Sequence, residues 1–309
     1  MTLEQDRARS SPPRARKKET TQTHHGITTK DQYAWLRDEN WQEVMRDPEL
    51  LDKDIRAYLE AENAYLTSGL SQTEDLQKNL FAEMKGRIKE DDSTYPSPDG
   101  PYAYYVSYNI GDQHPLFCRK PRKGNGETIL LNGNILAKDK AYFKLGGVSH
   151  SPSHKTLAYS YDDKGSEYYS IYFKNIETDE QFEETIADTT GSIIWSADSK
   201  FVFYTRVDDN HRPSKVYCHQ LGTSPSKDKL IYEESDPGFF VGIGKTQSGD
   251  FILISAHDHQ TSEIYLIDAH NPLSKPHLVA PRDEGHEYDV EHRGEQLFIL
   301  TNDDKAEDF

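Results

Sequence analysis

One period constrains this chain more than any other feature. After Asp91, an apolar or aromatic residue follows a turn at Tyr102, Leu157, Phe201, Phe251 and Leu297, at intervals of 55, 44, 50 and 46 residues. A strand-type residue precedes each anchor by seven to nine positions, at Tyr95, Val148, Ile193, Ile243 and Val290. An apolar–aromatic step comes 13 to 15 residues after it, at Leu116-Phe117, Ile171-Tyr172, Val216-Tyr217 and Ile264-Tyr265. A last strand-type residue lies another 14 or 15 on, at Leu130, Ile186, Ile231 and Val279. Turn formers fill the gaps, as in Ser97-Pro98-Asp99-Gly100, Ala197-Asp198-Ser199-Lys200 and Gln247-Ser248-Gly249-Asp250. Four short strands in a unit of ~40–50 residues are the pattern of β-propeller blades. A β-sandwich also has short strands and regular hairpins, but nothing in it requires the internal spacing to recur four times.

The expected fold is therefore mainly β: an incomplete propeller over residues 92–309, with blades starting near 95, 148, 193, 243 and 290. In the fifth unit the anchor is Leu297, so a further strand would centre just beyond Phe309, the last residue. The chain reads as the front portion of a longer protein. Ring closure is what protects the strand edges of a propeller, so a cut blade leaves an edge prone to strand-on-strand association.

Ahead of the repeat the pattern is helical over residues 31–91. Leu51, Ile55 and Leu59 recur at a four-residue step, widened by Tyr58 and Tyr65, and Leu76, Leu80, Met84 and Ile88 do the same. Asp47-Pro48 reads as an N-cap followed by proline at the first helical position, and Ser71-Gln72-Thr73-Glu74 as a capping box. Residues 1–30 read as a polar, disordered leader, because Ser10-Ser11-Pro12-Pro13-Arg14-Ala15-Arg16-Lys17-Lys18 offers little apolar surface against chain entropy.

Charge narrows the function classes. The chain has 36 Lys and Arg against 53 Asp and Glu, a formal charge of −17. Such a field opposes a phosphate backbone and favours cationic partners, so no nucleic acid is expected. Apolar residues make up only 34%, but 19 Tyr and 12 Phe supply core volume, so the chain as a whole is not disorder-like. No apolar run approaches the ~18 residues of a membrane span, so no membrane partner is expected. Met1-Thr2-Leu3-Glu4-Gln5-Asp6 lacks the apolar core of a secretory signal, and Cys118 and Cys218 are too few for a disulfide framework. Both read as free, buried thiols in a reducing cytoplasm.

The search for chemistry comes out empty. No G-x-S-x-G is present; Gly147-Val148-Ser149-His150-Ser151 lacks the last glycine and falls on a blade strand, not a strand-to-helix elbow. Gly242-Ile243-Gly244 has strand flanks and no phosphate-loop sequel. His150/His154 and His257-Asp258-His259 are the histidine pairs best spaced for a shared ion, and His24-His25 the worst, yet none has the companion ligands of a known metal motif. Glu90-Asp91-Asp92 and the run from Asp303 to Asp308 lack calcium-loop spacing and read as solvated charge. Tyr102, Tyr104, Tyr105 and Tyr108 read as blade packing, since no basic groove accompanies them. No catalytic residue, metal ligand or cofactor site is assigned.

Several strings nevertheless carry a resemblance. Asp31 to Asp38 (D-Q-Y-A-W-L-R-D), Tyr58 to Tyr65 (Y-L-E-A-E-N-A-Y) and Met84 to Lys89 (M-K-G-R-I-K) are similar to the N-terminal region of the prolyl oligopeptidase family, and most to its oligopeptidase B members. The likeness continues through Tyr104-Tyr105, His114 to Arg119, Phe143 to Gly147, Leu157 to Ser160 and Trp195 to Asp198. The resemblance implies a serine-type endopeptidase that cleaves short peptides after Arg or Lys, with a propeller covering an α/β-hydrolase domain and excluding large substrates. That family's Ser, Asp and His lie downstream of the propeller, so no position here matches them. The implied partners are the remaining blades, the hydrolase domain and short basic peptides. By the same resemblance the N-terminal helices pack on the hydrolase domain, and the chain alone is inactive. A free-standing acidic propeller-like module that captures basic peptides or a partner protein is the competing reading.

Overall fold

In the computed structural model, which describes residues 11–303 and 305–306, the chain first pairs with itself at Thr20–His24 (β1) and Ile27–Asp31 (β2). This antiparallel hairpin corrects the expectation of disorder over residues 20–30; the first ten residues of that leader lie outside the described residues. His25 and Gly26 both take positive φ, 52° and 76°, the backbone of a two-residue type I′ turn, and threonines on both sides favour extended backbone. The composition of the Pro, Ser and basic stretch does not carry over to a segment with its own turn signal.

The hairpin belongs to the first of two units, which runs to Tyr95 and includes Ser107–Gln113. Its helices are Trp41–Arg46 (α1), Lys53–Leu70 (α2) and Glu74–Gly86 (α3). Of the two sequence-read caps, Asp47-Pro48 forms but on a shorter element, and the Ser71 capping box does not form. Asp47 accepts from the Glu49 amide and closes only a single 3-10 turn; the cap of α2 is Asp52, which accepts from the amides of Asp54 (2.8 Å) and Ile55 (3.2 Å). Ser71 is itself helical, at φ −52° and ψ −34°, and its hydroxyl donates back to the Ser68 carbonyl. An N-cap needs non-helical backbone, so no capping box forms where one helix runs on into the next.

Trp35 organises the start of this unit. Its indole donates to the Arg16 carbonyl, its ring meets Tyr58 edge-on at 6.3 Å, and the Lys18 ammonium lies 4.9 Å from its ring centre. Asp54 pairs with Arg16 and Lys18, and hydrogen bonding to Lys18 with the charge of Arg16 holds its carboxyl below the usual aspartate range. In α1–α3 the only buried apolar side chain is Ile55. Leu59, Leu76, Leu80, Met84 and Ile88 are 45–67% exposed, so the apolar stripes that the spacing predicts are present and largely unburied among the described residues.

The second unit takes Pro96–Val106 and the residues from His114 on. Four antiparallel four-stranded sheets follow one another. The first is β3 (Ser97–Asp99), β4 (Tyr102–Ser107), β5 (Leu116–Pro121) and β6 (Thr128–Asn132). The second is β7 (Lys144–His150), β8 (Thr156–Asp162), β9 (Tyr169–Asn175) and β10 (Gln181–Thr189). The third is β11 (Ile194–Trp195), β12 (Phe201–Val207), β13 (Pro213–Gln220) and β14 (Lys229–Glu233). The fourth is β15 (Phe240–Lys245), β16 (Phe251–His257), β17 (Ser262–Asp268) and β18 (His277–Leu278). A two-stranded sheet, β19 (Tyr288–Arg293) and β20 (Gln296–Thr301), begins a fifth.

The architecture is the partial propeller that the period implies, and every anchor lies in the second strand of its sheet. Three flanking residues fall outside the strands. Tyr95 is 93% exposed and precedes Pro96, so the first strand starts at Ser97; Ile193 and Val279 each sit one position beyond their strands. The cores lie between sheets. Leu130 and Leu131 of the first meet Leu157 and Tyr159 of the second; Phe173 and Ile186 of the second meet Trp195 and Val202 of the third. Phe203 and Val216 then meet Val241 and Ile254, and Ile264 and Leu266 meet Tyr288 and Val290. A blade is a single layer, so it can bury its apolar faces only on its neighbours.

That close stacking explains one glycine. The Gly147 amide in β7 donates to the carbonyl of Gly191, in the link from the second sheet to the third, and a Cβ at Gly147 would lie 2.6 Å from that oxygen. At the far end, β20 pairs only with β19 among the described residues, and Leu297, Phe298, Ile299 and Leu300 are 42–55% exposed. No described helix is long and apolar enough to cross a membrane. The acidic run after Asp303 lies largely outside the described residues.

Candidate functional site

The serine string at Gly147 to Ser151 is structural. Its residues lie in β7 and the turn after it; the Ser149 carbonyl accepts from the Trp195 indole at 3.1 Å, and the buried Ser151 hydroxyl bonds to that of Ser153. No imidazole is hydrogen-bonded to either serine side chain among the described residues, so neither has the adjacent base that activates a hydroxyl. Gly242-Ile243-Gly244 lies within β15, fully paired to β16, and so forms no phosphate-cradling loop. The two cysteines are buried and free; burial pushes the thiol of Cys118 up to about 11 and that of Cys218 up to about 12, which suppresses the nucleophilic thiolate.

An Asp–His pair does occur, though sequence reading did not single it out. His219 Nδ1 lies 2.7 Å from Asp228 Oδ1, and the Tyr204 hydroxyl donates to Asp228 Oδ2 at 2.8 Å. His219 is fully buried, and its Nε2, the atom that would face a nucleophile, has no hydrogen-bond partner. The trio therefore secures the interior of the third blade and cannot relay a proton to a substrate.

A second polar cluster joins the third and fourth blades. The Arg282 guanidinium donates to Glu234 Oε2 at 2.6 Å and approaches Glu263 Oε1 at 3.5 Å, over the Phe239 ring at 3.7 Å. Tyr232 donates to Glu234 and Tyr265 to Glu263. Burial alone would raise the Glu234 carboxyl, but Arg282, the Asp236 amide and the Tyr232 hydroxyl together hold it below the ordinary glutamate value of 4.5. These carboxylates thus already have their cation. A carboxylate with a depressed value contributes stability that is complete above 4.5 and is lost as pH falls through its folded value. Glu234→Gln should therefore cost about 1–2 kcal/mol at neutral pH, and the gap between wild type and variant should shrink between about pH 5 and pH 3. Urea midpoints across that range check it; a pH-independent gap contradicts it.

The histidines separate sharply. His24 and His25 lie at the tip of the β1–β2 hairpin, and His257 ends β16 with Phe240 6.3 Å away. Neither those residues nor His259 joins a group of three metal-ligating side chains among the described residues. His150 and His154, by contrast, converge with Asp99, one ligand atom of each lying within 4.8 Å of the others. His150 Nε2 is 2.8 Å from Asp99 Oδ2, and burial outweighs that bond to hold the imidazole below the ordinary histidine range. Asp99 was legible only as a turn residue, because it is 51 positions from His150.

Comparison with known proteins places this architecture. Residues 12–309 match the family model of the prolyl oligopeptidase N-terminal β-propeller domain. The chain is 33% identical over 320 aligned residues to dipeptidyl aminopeptidase BI of Pseudoxanthomonas mexicana, covering 98% of this chain and 43% of that protein. It is 32% identical to protease 2 of Moraxella lacunata over 90% of this chain and 40% of that one. Among solved structures, oligopeptidase B from Leishmania major superposes with a TM-score of 0.87 at 28% identity, over 96% of this chain and 43% of that chain. Oligopeptidase B from Trypanosoma brucei gives 0.84 at 29% identity, with the same coverage. The chain thus spans about two-fifths of the length of these relatives. With its blade repeat and inter-blade cores, the chain belongs to the prolyl oligopeptidase family, through that family's N-terminal β-propeller domain.

Proposed function

We propose that this chain is the N-terminal helical and propeller portion of a cytoplasmic, oligopeptidase B-like serine endopeptidase that cleaves short peptides after Arg or Lys. The match to the family's propeller model over residues 12–309, at about two-fifths of the relatives' length, carries this reading. The propeller admits short peptides and excludes folded ones, while the nucleophile, its base and the remaining blades come from a hydrolase-bearing portion. The exposed stripe of Leu76, Leu80, Met84 and Ile88 packs on that portion. A charge of −17 supports attraction of basic peptides.

Purified chain should neither take up a serine-directed fluorophosphonate probe nor hydrolyse an arginyl fluorogenic peptide. A protein joining this chain to a hydrolase portion should label once per chain and turn the peptide over. Stoichiometric labelling of the chain alone overturns the reading, and so does a joined protein that folds but never labels.

A further inference from the structure

We propose that Asp99, His150 and His154 form a binding site for one divalent transition-metal ion, of which zinc is the best match, between the first and second blades. The proposal stands on this cluster alone and is independent of the peptidase reading. Asp99 ends β3, His150 ends β7, and His154 lies in the turn that leads to β8, so three separate backbone positions bring their ligand atoms together. A tetrahedral zinc with bonds of ~2.0–2.1 Å sets its ligand atoms roughly 3.4 Å apart. The three atoms here lie within 4.8 Å of one another, so rotamer adjustments suffice to close on an ion.

The surroundings hold the imidazoles as a ligand site requires. The Tyr104 ring stacks on His150 at 3.6 Å with the planes 2° apart, and its hydroxyl meets His154 Nδ1 at 2.7 Å. That bond occupies one nitrogen of His154 and leaves Nε2 for the metal, the arrangement in which an outer partner orients a ligating ring. The Arg119 guanidinium donates to the His154 carbonyl at 2.7 Å and lies over Tyr102 at 4.0 Å, fixing the turn from behind. His154 sits at φ +59° in a turn closed by its own amide on the Ser151 carbonyl, as Ser199 does on Ser196 in the next blade. Beside it, Gly100 keeps clear the space next to Nε2: a Cβ there would lie 2.4 Å from that nitrogen. Two imidazoles and one carboxylate suit zinc and its neighbours and leave a coordination position open. Calcium, which takes six to eight oxygens, does not fit.

The test is calorimetric titration of the chelator-stripped full chain with zinc chloride, with cobalt(II) absorption as an independent readout. One zinc per chain is expected, with tetrahedral cobalt bands. Asp99→Asn and His154→Gln should each weaken zinc at least about ten-fold and abolish those bands, while far-UV circular dichroism stays unchanged. Asp99 has a 60% exposed side chain, so its variant tests the site without disturbing the core. Absence of stoichiometric zinc binding overturns the proposal. So does an affinity that neither variant changes, which would put the ion at other histidines such as His257 and His259.

Discussion

Trp195→Ala should be the most damaging single substitution in the propeller unit, lowering its stability by about 3–5 kcal/mol. Trp195 is 1% exposed, with its ring edge-on to Phe173 at 6.2 Å in a core shared by the second and third blades. Alanine leaves a cavity that stacked sheets cannot collapse, because each blade is held by its own ladder. It also removes the indole donor from the Ser149 carbonyl, a hydrogen bond between those same blades. In a unit of this size the loss corresponds to a fall in Tm of roughly 10 °C. Trp195→Phe separates the two effects: it restores most of the volume but not the hydrogen bond, and should cost about 1–2 kcal/mol. Thermal and urea unfolding measure both. A Trp195→Ala variant within about 1 kcal/mol of wild type would mean that the two blades do not share a core.

Asp228→Ala should come next, at about 3 kcal/mol, since it strands two buried donors at once. His219 and Asp228 have side chains 0% and 3% exposed, and Tyr204 is fully buried. Burial and the hydrogen bond to Asp228 both raise the Tyr204 hydroxyl well above the ordinary tyrosine range, so it stays a donor at all working pH. Tyr204→Phe removes one donor and leaves the Asp228–His219 bond, so it should cost only about 1 kcal/mol. The ratio matters. If Asp228→Ala and Tyr204→Phe shift the urea midpoint equally at unchanged m, the His219 bond contributes nothing and the trio is not a buried network.

These two sites differ in how far the sequence announces them. Trp195 sits in a strand that the repeat locates to within a residue, so its burial follows from period and size. His219 in β13 and Asp228, just before β14, are nine positions apart, and nothing in their spacing distinguishes them from surface polarity. The caps show a related failure. Ser71 and Glu74 have the right types at the right spacing, yet continuous helical backbone leaves the serine no cap to form. The β1–β2 hairpin fails in the opposite sense: His25-Gly26 between threonines was a readable turn signal, hidden by averaging composition over thirty residues.

What the sequence determined by itself is the repeat: the number of strands in each unit and the anchor positions. Turn residues and alternating apolar positions act over a few neighbours along the chain, and that information is local. Only the tertiary structure decided which faces meet and which polar groups share a point. Asp99 reaches His150 because the second blade stacks on the first, and Leu76, Leu80 and Met84 are exposed although their spacing marks an apolar stripe. Both outcomes depend on the packing of separate layers, which is a relation between distant segments and leaves no mark in the spacing of either.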